Sequence, residues 1–144
     1  MREDRRLYFL LTQAEHALSK RAATTLSARL DISAVQCGAL MFVRKHEGCL
    51  LKELGDGLGL NSSAITGLVA RMERDDLLRR EACSEDGRAS RLHLTTRGRR
   101  AVEAALPLVR SLNAAMTAGF TAEELEVVSR FLATMVDRFS KEDP

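Results

Sequence analysis

The stretch from Asn61 to Arg100 constrains the fold most, because its pattern predicts a helix followed at once by a short hairpin. Asn61 can cap the helix, since its side-chain oxygen can accept from an otherwise unpaired amide of the first turn. Apolar residues recur along the helix at helical spacing. They are Ile65, Leu68, Val69 and Met72. The opposite face is small and polar rather than rich in Glu and Lys, and such a face suits close contact with another surface. The major groove of DNA, about 12 Å wide, is a surface of this kind.

The residues just upstream predict a second, shorter helix that packs against the first. Leu50, Leu51, Leu54 and Leu58 form a short amphipathic pattern, and the segment 59–61 (Gly-Leu-Asn) is a tight break. Two short helices joined by a glycine-containing turn are typical of a helix-turn-helix, in which the second helix enters the DNA groove. The same pattern also fits two packed helices of an all-α domain.

A predicted β-hairpin follows and favours the DNA-binding interpretation. Residues 78–83 and 90–94 are strand-length runs, and the Asp86-Gly87 pair between them is a strong hairpin-turn signal. Leu92 and Leu94 alternate with polar residues, as in a half-buried strand. From Gly87 to Val102 there are five arginines and no acidic residue. Basic charge beside a recognition helix suits phosphate contacts, so the hairpin is interpreted as a wing.

Two segments resemble the MarR (multiple-antibiotic-resistance regulator) family of winged-helix regulators. They are LLKELGDGLGLNSSAITGLVARMERDDLLRR and SEDGRASRLHLTTRGR. The resemblance extends over essentially the whole chain in length and helix order. It implies that Arg88 enters the minor groove and that Asp86 braces the wing by pairing with Arg80 or Arg91.

The predicted DNA contacts combine the polar helix face, the wing and the basic segment after it. They are Asn61, Ser62, Ser63, Thr66, Gly67, Ala70, Arg71, Arg74, Asp86, Arg88, Arg91, Arg97 and Arg99. Among these, the helix residues are expected to face bases and phosphates. Arg97 and Arg99 are expected to contact phosphates alone.

The fold class predicted is mainly α: a winged helix-turn-helix of about six helices with a two-stranded wing, in a single domain over residues 1–144. Residues 33–99 form the expected DNA-binding lobe. A capping box at Ser33 and Gln36 predicts where the second helix begins, and another at Thr121 and Glu124 predicts where the last helix begins. Residues 1–31 and 100–144 form the dimerisation region that the resemblance implies. The expected dimer-interface residues are Leu7, Leu11, Leu125, Val128, Leu132, Met135 and Phe139.

Charge is sorted along the chain although the net charge is only +2. The segment from Arg71 to Arg100 contains nine arginines and six acidic residues, whereas the segment from Thr121 to Pro144 contains six acidic and three basic residues. This asymmetry indicates a DNA-facing middle and an acidic end turned away. The longest apolar run, Cys37 to Val43, has seven residues, far below the roughly 20 of a membrane span. We therefore expect a cytoplasmic protein with no membrane partner.

The expected function is sequence-specific regulation of transcription by a homodimer on a pseudo-palindromic, double-stranded DNA operator. The resemblance implies a repressor released by a small lipophilic or phenolic, often anionic, effector bound between the dimer helices and the DNA-binding lobe. His16, Met41 and Arg44 are the candidate effector-pocket residues. No cofactor and no bound metal are expected.

Other functions have weaker support in the sequence. A redox- or metal-responsive regulator of the same fold would use Cys49 or His46. Peroxide-sensing members of the family carry their reactive cysteine in the first helix, and this chain has none there. A winged helix used for protein contacts is a further alternative. An enzyme is not expected, because no nucleophile with a base, metal set or phosphate-binding loop is evident.

Overall fold

The computed structural model describes residues 6–82 and 89–140, which form six helices and three short strands. In chain order these are α1 (Leu7–Leu30), α2 (Ala34–Lys45), β1 (Cys49–Leu50), α3 (Leu51–Leu58) and α4 (Ser62–Arg74). They are followed by β2 (Leu78–Ala82), β3 (Ser90–Leu94), α5 (Thr96–Thr117) and α6 (Ala122–Ser140). The predicted fold class, a mainly α winged helix-turn-helix, is confirmed.

Local capping determines where several helices begin. Ser33 Oγ accepts from the Gln36 amide at 3.1 Å while Gln36 Oε1 accepts from the Ser33 amide at 3.0 Å. The same reciprocal pair joins Thr121 and Glu124, at 3.2 and 2.9 Å. Both predicted capping boxes are therefore confirmed. Each satisfies two backbone groups that a helix end leaves unpaired.

The sheet contains one strand more than the two-stranded wing expected from the sequence. Its order is β1-β3-β2, with both pairs antiparallel. Cys49 pairs with Leu92 and Leu50 with Arg91, so Leu50 lies in a strand and the helix begins one residue later than predicted. Sequence periodicity could not show that Leu50 belongs to a strand rather than to the helix, because a strand of two residues leaves no alternating pattern to detect.

Two compact units make up the chain, Met1–Val109 and Arg110–Pro144. The hydrophobic core of the first is built from α2, α3, α4, the sheet, the end of α1 and the start of α5. Leu40, Leu54, Leu68, Met72 and Leu92 are among its fully buried side chains. The division of the sequence into a DNA-binding lobe and dimerisation helices stays a prediction.

The second unit consists of the end of α5, a turn at Gly119 and α6. None of the described residues of α6 is buried within the chain. The predicted apolar seam is thus half-exposed or exposed: Val128 is 46%, Leu132 44% and Phe139 82% exposed. No single described helix is long and apolar enough to cross a membrane, and α1 with α2 meets that test only as a pair bent by 79°.

Candidate nucleic-acid interface

The turn of the helix-turn-helix is fixed by one glycine and one asparagine. Gly59 ends α3 at φ +67°, a left-handed conformation that glycine adopts without steric cost. Asn61 Oδ1 then accepts from the Ala64 amide at 2.9 Å and starts α4, as predicted. The short link between these two caps holds α4 against α3.

One face of α4 is buried and the other is open, as the sequence pattern predicted. Ile65, Leu68, Val69 and Met72 are at most 3% exposed and anchor the helix in the core. The predicted contact residues Asn61, Ser62, Ser63, Thr66, Ala70, Arg71 and Arg74 are exposed, and Gly67 is half-exposed. The structure therefore places this set on a single outward surface, which we call the α4 face.

The polarity of the α4 face is partly set by its own backbone. Thr66 Oγ1 donates to the Ser62 carbonyl at 2.7 Å, so its hydroxyl proton is already engaged. What Thr66 presents outward is its methyl group and an oxygen lone pair. A Cβ added at Gly67 would meet only Arg71 Nη1, at 3.5 Å, so glycine is not required there by packing.

The C-terminal end of α4 is closed by a Schellman motif directly before β2. The Leu77 amide donates to the Met72 carbonyl at 2.8 Å and the Asp76 amide to the Glu73 carbonyl at 3.0 Å. Asp76 has φ 57°, a left-handed conformation that costs an L-residue about 1–2 kcal/mol. Leu77 and Met72 are both buried, in keeping with the hydrophobic pair that often accompanies this motif.

The strands of the wing confirm the predicted alternation, while its turn lies outside the described residues. Leu92 and Leu94 are buried, and Arg91 is exposed. Arg88 and Asp86, expected at the wing tip, fall in the undescribed segment 83–88, as does Cys83. Their roles remain predictions.

Two candidate partners for Asp86 have other contacts in the structure. Arg80 Nε donates to Glu73 Oε1 at 2.6 Å and thereby links β2 to α4. Arg91 Nη1 donates to the Gly48 carbonyl at 3.0 Å, which ties β3 to the turn before β1. These contacts hold the wing strands on the helix-turn-helix.

The two arginines expected to contact phosphates differ in their surroundings. Arg97 is exposed and has no ion-pair partner within residues 6–82 and 89–140. Arg99 Nη2, in contrast, donates to Glu47 Oε1 at 3.1 Å, so part of its charge is already compensated. Sequence reasoning missed Glu47, which lies 52 positions away from Arg99.

Gly98, part of the motif by which the chain resembles the family, has a steric role. A Cβ at this position would lie 2.1 Å from the Leu77 carbonyl oxygen. The absence of a side chain allows the first turn of α5 to approach the end of α4. Thr95 joins the two further, since its amide donates to the Leu77 carbonyl at 3.2 Å and its hydroxyl accepts from the Gly98 amide at 2.9 Å.

The comparisons with known proteins agree with this geometry. A family model described as the MarR family matches residues 30–89. The HTH-type transcriptional regulator TtmR of Methylorubrum extorquens (strain PA1) is 31% identical over 134 residues, or 93% of this chain and 67% of that protein. The chain belongs to the MarR family. It is therefore a transcriptional regulator of a winged-helix, DNA-binding class.

Two further similarities extend the comparison. The organic hydroperoxide resistance transcriptional regulator of Bacillus subtilis (strain 168) is 32% identical over 98 residues, 68% of this chain and 66% of that protein. The matches thus span about two thirds of the length of both relatives. The crystal structure of the S. aureus MepR–DNA complex superposes with a TM-score of 0.86 at 22% identity, covering 92% of this chain and 98% of that one. That likeness shows a shared MarR-type fold.

A cavity in the first unit involves two of the three predicted effector-pocket residues. Its volume is about 330 Å³, and Met41, Arg44, Lys45 and Leu106 line it. His16 is exposed and is not among its lining residues, so the structure does not group it with the other two. The sequence did not point to Lys45 or Leu106.

The described cysteines are poorly suited to redox sensing. Cys37 and Cys49 are each 4% exposed, and burial raises the pKa of both thiols. At Cys49 the nearby carboxylates of Glu53 and Glu47 raise the pKa further. Both thiols are therefore held protonated, whereas a sensor requires an accessible thiolate. Within the described residues no group of three or more His, Cys, Asp or Glu side chains could hold a metal ion.

Proposed function

We propose that this chain acts as a homodimeric repressor that binds a pseudo-palindromic operator, with α4 in the major groove and the wing beside the minor groove. The observation that carries the proposal is the α4 face, where hydroxyl, alanine and arginine residues are exposed and Gly67 is half-exposed, opposite a buried apolar stripe. Family membership supports the same role. The similarly folded S. aureus MepR has a crystal structure in complex with DNA, which supports DNA binding by this chain.

The contacts proposed for bases are on α4 and those proposed for phosphate are mainly arginines. Thr66 offers a methyl group that suits the methyl of thymine, and its oxygen can accept from a base amino group. Arg71, Arg74 and Arg97 are exposed cations that can neutralise phosphates. Arg88 remains the residue proposed for the minor groove.

Exposed apolar surface supports a dimer. Leu7 and Leu11 of α1 are 46% and 38% exposed, and the apolar seam of α6 lacks burial within the chain. On each of the two helices taken by itself, exposed apolar residues of this kind support a protein contact. A two-fold dimer presents two recognition helices, so half-site centres should lie about 10–10.5 base pairs apart.

Leu132→Asp tests the dimer by placing a carboxylate in the α6 seam. Loss of the dimer and of specific operator binding is expected, because an unpaired buried charge is strongly unfavourable. Val127→Asp is the matched control: Val127 is 54% exposed on the same helix but about 140° around the axis from Leu132. If light scattering found both variants dimeric, the proposal that the apolar seam of α6 forms the dimer interface would be contradicted.

The cavity supports an anionic, partly apolar effector. Met41 and Leu106 supply apolar surface, while Arg44 and Lys45 supply two positive charges. We propose that an aromatic carboxylate or phenolate binds there and releases the DNA. Benzoate should shift the melting temperature and weaken operator binding in the wild type, whereas benzamide, which is neutral, should not. Arg44→Ala should abolish the response, and Arg29→Ala, an exposed arginine of α1, should preserve it.

Peroxide sensing is not favoured despite the name of the B. subtilis relative. The first helix, Leu7–Leu30, contains no cysteine, and the two described cysteines are buried with raised pKa values. A gel-shift titration of genomic fragments against competitor DNA tests the proposed function directly. Selection of one DNA sequence over competitor is expected, and binding with no preference would favour a protein-contact role for the wing.

A further inference from the structure

The Glu47 carboxylate, at the base of the wing, accepts a backbone hydrogen bond from β3 that a longer first strand would otherwise accept. Strand β1 has only two residues, and it pairs Cys49 with Leu92. Gly48 extends the ladder by one bond, from its amide to the Leu92 carbonyl at 2.9 Å. The next amide of β3, that of Leu94, lies beyond the reach of this short strand. It donates instead to Glu47 Oε1, at 3.2 Å.

The same carboxylate contacts two further groups. Arg99 Nη2 on α5 donates to Glu47 Oε1 at 3.1 Å, and His93 Nδ1 on β3 lies 3.4 Å from it. The Glu47 side chain is one-third exposed, so these contacts are only partly screened by water. We call Glu47, His93, Leu94 and Arg99 the wing-base cluster. It joins the turn after α2, strand β3 and helix α5.

A second carboxylate stands on the other side of the His93 ring. His93 Nε2 lies 3.1 Å from Glu81 Oε2 on β2, although this buried nitrogen makes no hydrogen bond within the described part of the chain. Arg79, opposite His93 in the ladder, lies 3.6 Å from Glu81. Glu81 is the nearer carboxylate to the His93 ring, but Glu47 also accepts hydrogen bonds from the Leu94 amide and from Arg99. Those contacts extend to a backbone amide and to another helix.

We propose that Glu47 is a positioning residue for DNA recognition: it orients the wing by holding the β3 amide and the α5 arginine. This inference rests on the proposed function, because it concerns how the wing meets DNA. Arg99 is thereby assigned to bracing the wing rather than to contacting phosphate. Strand β3 meets the wing-base cluster at Leu94, so a tilt at this end displaces the opposite end at Ser90, which lies two positions after Arg88 in the sequence.

The first test is independent of DNA and measures hydrogen exchange at the Leu94 amide. Glu47→Ala should speed this exchange by about tenfold or more, as expected when a partly buried amide loses a charged acceptor. Glu47→Gln keeps an oxygen acceptor and should restore much of the protection. Glu103→Gln is the charge control, since Glu103 is exposed on α5 and has no ion pair within the described residues. Unchanged Leu94 exchange in Glu47→Ala would overturn the proposal.

The second test asks where base preference is lost. In a selection from random DNA, Glu47→Ala should lose preference at the same base pairs as Arg88→Ala and keep the preferences read by α4. A merely structural role would weaken every position alike, and that result, or a wild-type motif, would refute the inference. If Glu47→Ala does not fold, Glu47→Gln and Arg99→Ala serve in the same comparison.

Arg99→Ala separates bracing from phosphate contact. If Arg99 braces the wing, Arg99→Ala should speed hydrogen exchange at the Leu94 amide and lose base preference at the same positions as Glu47→Ala. If Arg99 instead contacts a phosphate, Arg99→Ala should leave hydrogen exchange at Leu94 unchanged. The slope of log binding constant against log salt concentration should then be shallower by about 0.9. A wild-type protein that selects no motif would overturn the proposed function and the recognition role with it. The exchange at Leu94 would then report separately on the wing-base contact.

Discussion

Replacing Gly67 by alanine should move stability and DNA affinity in opposite directions. Gly67 lies inside α4, and the added methyl would meet only Arg71 Nη1 at 3.5 Å, an ordinary contact. Alanine is favoured over glycine in a helix interior by about 1 kcal/mol. For a chain of this size that corresponds to a rise in melting temperature of about 4 °C.

The same methyl should weaken operator binding if the α4 face lies against DNA. An extra methyl group in a close-packed contact costs about 1–3 kcal/mol, which corresponds to a rise in Kd of about five- to 150-fold. Thermal unfolding and a fluorescence-anisotropy titration with the selected operator measure the two effects. The salt concentration must be the same for both proteins, because phosphate contacts make affinity depend on salt.

Gly38→Ala supplies the matched control. Gly38 is in the interior of α2, and its added methyl would lie 3.6 Å from Leu58 Cδ2, again an ordinary contact. It should gain similar stability while binding the operator like the wild type. The reasoning would be refuted if Gly67→Ala were stabilised yet bound DNA with unchanged affinity, since the α4 face would then not approach the duplex closely.

Three further outcomes follow from local geometry. Asp76→Gly should stabilise the protein by about 1 kcal/mol in urea unfolding, since φ is 57° there; an unchanged midpoint would contradict a conformational cost at this position. Gly98→Ala should destabilise by about 2–3 kcal/mol because the new Cβ would lie 2.1 Å from the Leu77 carbonyl oxygen, and wild-type stability would disprove this close approach. In a Cys83→Ser protein, burial and the raised pKa of Cys49 should leave both remaining thiols unreactive near pH 7. Alkylation should be at least about tenfold slower than in urea, and comparable rates would reopen redox sensing.

The starts of α2 and α4 and the buried stripe of α4 were determined by the sequence itself. The capping box at Ser33 and Gln36 and the cap at Asn61 join residues only three positions apart. Such contacts form within one helical turn, so residue type and spacing are enough to predict them. The burial of Ile65 and Met72 follows equally from helical periodicity.

Only the tertiary structure revealed the contacts that hold the wing. Glu47 reaches Leu94 and Arg99 across 47 and 52 positions, and Gly98 meets the carbonyl of Leu77. A single sequence gives no periodicity for contacts between distant segments, because their partners are chosen by how the elements pack. For the same reason the strand at Cys49 and Leu50 was missed, since two residues form a strand there only through the β3 edge beside them. The sequence thus determined which helices form and which face of α4 is polar, whereas packing decided that Arg80 and Arg99 pair with carboxylates of other elements.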